Sequence, residues 1–184
     1  MISTNLTLSR SRTTGITLVL IGASLWGISG TVAQYLFQQK GFSPEWLVVI
    51  RLILSGIVLL GIASRNEKQN IWKVWRNKRD VLSLLLFSIL GLLAVQYTYF
   101  AAIKYSNAAT ATVLQYLAPV LISCYLAIGS KRFPTFKELI SVILAILGTF
   151  LLVTKGNIHH LSISSWALFW GICSAFALAF YTLQ

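Results

Sequence analysis

The chain has 184 residues, of which 57% are apolar and 10% charged, with a mean hydropathy of +0.77. Soluble domains carry about 25% charged residues and disordered chains are poor in apolar ones, so neither class fits. Fifteen Lys and Arg against four Asp and Glu give a net charge of +11, but these charges fall in short gaps between long apolar runs, which points to a membrane and away from nucleic acid.

A helix that crosses the hydrocarbon layer needs about 20 mostly apolar residues at a rise of ~1.5 Å each. Six runs reach or approach that length: 15–37, 46–64, 81–103, 107–130, 138–155 and 163–184. Unbroken runs predict helices, because barrel strands alternate over about ten residues. The expected fold is all-α, a polytopic integral membrane bundle of six transmembrane helices. With the N-terminus cytoplasmic, Arg10, Arg12, Arg65, Lys68, Lys73, Arg76, Lys78, Arg79, Lys131, Arg132 and Lys137 lie inside, and only Lys40, Lys104 and Lys155 outside. Retention of basic residues in the cytoplasm favours that orientation.

In the first span, Arg10 and Arg12 precede an apolar run too long for a signal-peptide core, so it is expected to stay in the mature protein. Ala23, Gly27, Gly30 and Gln34 recur at i, i+4, i+7 and i+11 on one face. Such a stripe marks a close helix neighbour or a cavity wall, and Trp26 and Gln34 favour the cavity. The second span carries Arg51, the one formal charge away from the ends of any run, within two turns of the expected outer end. It either serves as a structural charge, snorkelling outward or pairing with a carbonyl, or attracts an anionic or zwitterionic group. The loop Arg65–Asp80 mixes Ile71, Trp72, Val74 and Trp75 with basic residues, as expected of a short helix in the headgroup layer or of a site for a specific lipid or regulator.

Gln96 and Tyr99 share a face of the third span, with Tyr97 directed to the outer headgroup belt. The fourth span has the richest pattern. Ala108, Thr112, Gln115 and Pro119 stand at i, i+4, i+7 and i+11, with Tyr116 beside them and Ser123 one turn further. Pro119 removes one backbone hydrogen bond and frees a carbonyl, which gives either a contact for substrate or a structural kink. The fifth span is short in uncharged residues, Leu139 to Thr154, and needs Lys137 and Lys155 to snorkel. Its Ser141, Ala145 and Gly148 predict tight packing. The sixth offers Ser174 and Tyr181 on one face as further cavity candidates.

The sixth run stops at Gln184 without a basic anchor, so the chain is expected to be cut short. Leu18–Val32 aligned with Leu168–Thr182 matches at Leu18/Leu168 and Ser24/Ser174. If this marks a second copy after five spans, that copy inserts upside down. Cys124 and Cys173 lie inside apolar runs and read as packing side chains, and the pair His159 and His160 has no carboxylate nearby. No metal, no cofactor and no enzyme activity are expected, since no catalytic constellation is present and no Asp or Glu is buried in any span.

The segments ASLWGISGTV at 23–32, FSPEWLVVIRLILSG at 42–56, YTYFAAIKYSNAATATVLQYLAPVLISCYLAI at 97–128 and FKELISVILAILGTFLLV at 136–153 resemble the drug/metabolite transporter superfamily and its EamA-like branch. The resemblance implies ten-helix permeases made of two inverted five-helix repeats. It divides this chain into a cytoplasmic segment at 1–14, a first repeat at 15–155, and an outer loop with the first helix of an incomplete second repeat at 156–184. By position it places Trp26, Gln34, Gln96, Tyr99, Thr112, Gln115, Tyr116 and Pro119 on the central pathway and makes Arg51 a structural position. The implied function is transport of small, amino-acid-like or related metabolites across a bacterial cytoplasmic membrane. The implied partners are the lipid bilayer, a small-molecule substrate, and a homodimer mate or missing second repeat, with no nucleic acid. A non-transporting membrane subunit or inactive fragment is the alternative.

Overall fold

The computed structural model describes residues 2–66, 75–129, 135–154 and 163–184. The described residues form helices without strands. The first, α1, runs over Ile2–Gln39. It ends because Gly41 takes φ 66°, a left-handed conformation cheap only for glycine. The Phe42 N–H then turns back to the Leu36 carbonyl at 3.1 Å, closing the helix end. Pro44 opens α2 (Pro44–Asn66), and a proline suits a first helical position whose N–H would have no partner. Glu45 in the first turn and Arg65 in the last complement the helix dipole.

The third run, where the sequence predicts a single regular helix, is one continuous rod in three parts. α3 (Lys78–Leu86) starts at Asn77, whose side chain accepts from the Arg79 N–H at 3.1 Å. A π-helical stretch follows at Phe87–Leu93, and α4 (Ala94–Tyr105) completes the rod. Nothing in the local sequence announces the wider turn. Its physical setting is tertiary: the Tyr181 ring stacks on Phe87 at 5.0 Å, and a Cβ at buried Gly91 would lie 3.1 Å from the same ring.

The fourth run breaks where its proline predicts. Asn107 caps α5 (Ala108–Gln115), its side chain accepting from the Thr110 N–H at 2.8 Å. The helix stops at Tyr116 and Leu117 and resumes as α6 (Ala118–Gly129), because Pro119 has no N–H to offer the Gln115 carbonyl. α7 spans Phe136–Thr154 and α8 spans Ser165–Leu183, the latter capped by Ser164.

Five stretches are long and apolar enough to cross a membrane: Thr13–Gln39, Pro44–Arg65, Lys78–Tyr105, Ala108–Gly129 and Ser165–Leu183. A shorter apolar helix covers Leu139–Leu151, at the position of the expected fifth span. Most large apolar side chains on these helices are exposed, which suits acyl chains and would be untenable in water. Of the expected headgroup-layer helix, Ile71, Trp72 and Val74 lie outside the described residues, as do Lys131, Arg132, Lys155, His159 and His160, while Trp75 is exposed in a short turn before α3. A methyl added at Gly27 or Gly148 would meet nothing within 4 Å, so neither glycine makes the close helix approach that its stripe suggests.

The core gathers where α4 runs between α1, α2, α5 and α8. Phe100 and Ile103 of α4, Ala33 and Phe37 of α1, Val48 of α2 and Ala111 of α5 fill it. At the end where α4 finishes, rings continue outward: Tyr97 against Trp170 at 5.4 Å, Trp170 against Phe169 at 5.2 Å, and Trp166 against Tyr105 at 6.3 Å. Amphipathic rings at one bundle end suit a headgroup belt, and the Tyr97 hydroxyl also donates to Glu45 at 3.3 Å.

Candidate functional site

Five of the eight residues that the sequence suggests for a central pathway gather at the junction of α1, α4, α5 and α8. Tyr99, 3% exposed, places its hydroxyl 2.9 Å from that of Thr112. Thr112 also donates back to the Ala108 carbonyl at 2.7 Å, a satisfied arrangement for a hydroxyl on an apolar helix. The Tyr99 hydroxyl packs closely on Gly30 of α1, where a Cβ would stand 3.2 Å away. Trp26, one turn earlier and 44% exposed, sets its ring edgewise to Tyr99 at 6.2 Å.

Gln34 spans from α1 to the start of α5. Its Oε1 accepts from the Ala108 N–H at 2.9 Å, so it satisfies one of the donors that every helix start leaves open. Gln38, a residue missing from the sequence-derived candidates, donates from Nε2 to the Ser106 carbonyl at 2.6 Å and accepts from Gln34 at 3.3 Å. Its spacing of four from Gln34 is a usable signal. Together the two amides fasten the end of α1 to the α4–α5 turn.

Gln115 is 1% exposed and donates from Nε2 to the Ser174 hydroxyl of α8 at 2.8 Å. Beside that pair, Gly171 lets α8 lie on Leu114, whose Cβ would be 2.8 Å from any Cβ there. Tyr181, the other sixth-span candidate, packs on Phe87 and not with Ser174. The other three candidates stay outside the cluster. Gln96 is half-buried without a side-chain hydrogen bond among the described residues, Tyr116 is 63% exposed, and Pro119 is exposed on α6.

Arg51 leaves α2 and donates from Nη1 to the Ser29 hydroxyl of α1 at 3.0 Å, with its guanidinium 5.5 Å from the Phe100 ring centre. Ser29 carries no signal in the sequence, because only the helix arrangement reveals it. Cys124 and Cys173 are free thiols, and no group of three potential metal ligands occurs among the described residues. Two clefts flank the last turns of α8. One of about 550 Å³ is lined by Asp80, Ser83 and Phe87, and one of about 390 Å³ by Leu121, Tyr125 and Phe176. None of the eight pathway residues lines either cleft.

A bundle of long apolar helices with amides and hydroxyls paired in its middle narrows the chemistry to membrane proteins that handle polar solutes or hold themselves together with polar contacts. The model of the EamA-like transporter family matches residues 13–154. The chain belongs to the EamA-like transporter family. This EamA-like chain is 48% identical over 168 residues to the protein named "Uncharacterized inner membrane transporter YicL" of Salmonella typhimurium, covering 91% of this chain and 56% of the relative. It is 25% identical over 145 residues to "Uncharacterized transporter YyaM" of Bacillus subtilis, covering 78% of this chain and 46% of that protein. The chain thus spans about half the length of the curated relatives it matches. No solved structure matches it. The family match and the five long apolar helices make this EamA-like chain a multi-pass membrane protein.

Proposed function

We propose that the chain forms part of a permease that moves small, amino-acid-like metabolites across a bacterial inner membrane, with its N-terminus cytoplasmic and six helices crossing the bilayer. The observation that carries this reading is the row of Gln34, Tyr99, Thr112, Gln115 and Ser174 along one junction of an otherwise apolar bundle. Polar groups at membrane depth are costly and commonly mark solute paths. In this conformation Tyr99 bonds to Thr112, Gln115 to Ser174 and Gln34 to the Ala108 N–H, which closes the passage. Opening exchanges those bonds for bonds to solute and water as one group of helices rocks against another. Gln96, Tyr116 and Pro119, accessible on α4 to α6, form the wall facing the partner half, supplied by a second repeat or a second copy.

The same mutual pairing favours a second reading, a membrane subunit that transports nothing and uses these bonds as interhelical fasteners. Proteoliposomes and a panel of radiolabelled amino acids separate the two. A permease moves at least one of them faster than empty liposomes do. Thr112→Val, which keeps the shape and removes the hydroxyl, then slows flux about tenfold, equivalent to ~1.4 kcal/mol of barrier. No flux of any tested solute leaves the fastener reading standing.

A further inference from the structure

Arg51 sits about two turns inside α2, in a layer where a bare cation is poorly tolerated. α1 and α2 both pack on α4. The half-buried Arg51 side chain reaches from α2 to Ser29 of α1, with the face of Phe100 of α4 beneath it. A guanidinium has five N–H donors, yet the Ser29 bond is the one hydrogen bond Arg51 makes among the described residues. No described carboxylate pairs with it. Ser29 accepts from Arg51 and makes no other hydrogen bond among the described residues, so its own hydrogen can point to the same ligand.

Four remaining planar N–H donors beside a hydroxyl, over an aromatic floor and half-open, match an oxyanion with two acceptor oxygens on one centre. Arginine binds carboxylate and phosphate in this two-pronged way. We infer that the Arg51–Ser29 pair bridging α1 and α2 is an oxyanion site, which holds either the phosphate of a lipid headgroup or the carboxylate or phosphate of a free solute. The site does not depend on the transport reading, because a chain that moves nothing can still hold the anion.

The test uses the purified chain in dodecyl maltoside, which brings no phosphate or charge of its own. Thermal unfolding is followed while chloride is replaced at constant ionic strength by acetate or by inorganic phosphate, or while phosphatidylglycerol is added. At least one of these raises the unfolding temperature by several degrees. The rise disappears in Arg51→Met, shrinks in Ser29→Ala, and survives in part in Arg51→Lys. A response to phosphatidylglycerol alone assigns the headgroup, and a response to acetate or phosphate assigns a free anion. Absence of any rise overturns the inference, as does a full rise in Arg51→Met. If Arg51→Met does not fold, full rises in both Arg51→Lys and Ser29→Ala overturn it.

Discussion

Gly171→Ala lowers the thermal stability of the chain in detergent by the equivalent of about 1–3 kcal/mol, the usual cost of overfilling a packed core. The added methyl would lie 2.8 Å from the Leu114 Cβ and 3.1 Å from its Cγ, and nearer still to Cδ1. Leu114 is 1% exposed and has nowhere to retreat, so α8 must move off α5. Gly27→Ala and Gly148→Ala serve as controls, since a methyl there meets nothing within 4 Å. Both leave the unfolding temperature unchanged or slightly higher, because alanine is the better helix former. Leu114→Ala restores part of the loss when combined with Gly171→Ala. The check is unfolding followed by size-exclusion chromatography with fluorescence detection, and equal midpoints for Gly171→Ala and the two controls would refute the packing assignment.

Gln115→Leu has the second large effect, on stability and on flux together. It strips Ser174, 0% exposed, of its donor at the centre of the α5–α8 contact. Interhelical hydrogen bonds in membranes average about 0.6 kcal/mol, with a maximum near ~1.7. An orphaned buried hydroxyl adds about 1–3 kcal/mol. Ser174→Ala alone leaves the Gln115 amide unsatisfied in the same way. The double variant removes both partners and is therefore less destabilised than the two single effects added, by about 1 kcal/mol in a double-mutant cycle. Strict additivity in unfolding measurements would mean that the 2.8 Å contact contributes nothing.

These two contacts also separate the features that a sequence reveals from those it hides. Spans are legible because the hydrocarbon layer imposes a length and a polarity on each run. The run at 107–130 is helical over Ala108–Gly129, and the one at 163–184 over Ser165–Leu183. The break at Tyr116 and Leu117 is legible because a proline lacks the N–H that would carry the helix through. The π-helical turn at Phe87–Leu93 is not, since it accompanies a Tyr181 ring from far along the chain, packed on Phe87 and Gly91.

Glycine gives the least reliable signal. Gly27 and Gly148 stand in small-residue stripes yet face open space, while Gly171, in the buried stripe Ala167, Gly171, Ala175 and Ala179 of α8, takes the tightest helix contact. A stripe says that neighbours can come close, and only the partner helix decides whether they do. Within the site, Gln34, Tyr99, Thr112 and Gln115 are legible as polar groups on helix faces. Their partners Ala108, Ser174 and Gln38 belong to the arrangement of helices, which a single periodicity does not encode.

The central claim is that Gln34, Tyr99, Thr112 and Gln115 border an aqueous interior and not acyl chains. The most direct measurement replaces single positions by cysteine in a chain carrying Cys124→Ser and Cys173→Ser, then times their reaction in liposomes with a charged methanethiosulfonate. Thr112→Cys is predicted to react at least ten times faster than Leu54→Cys, whose position is 59% exposed on the apolar face of α2. Equal or slower labelling at position 112, with lipid-soluble reagents preferred there, would contradict the account.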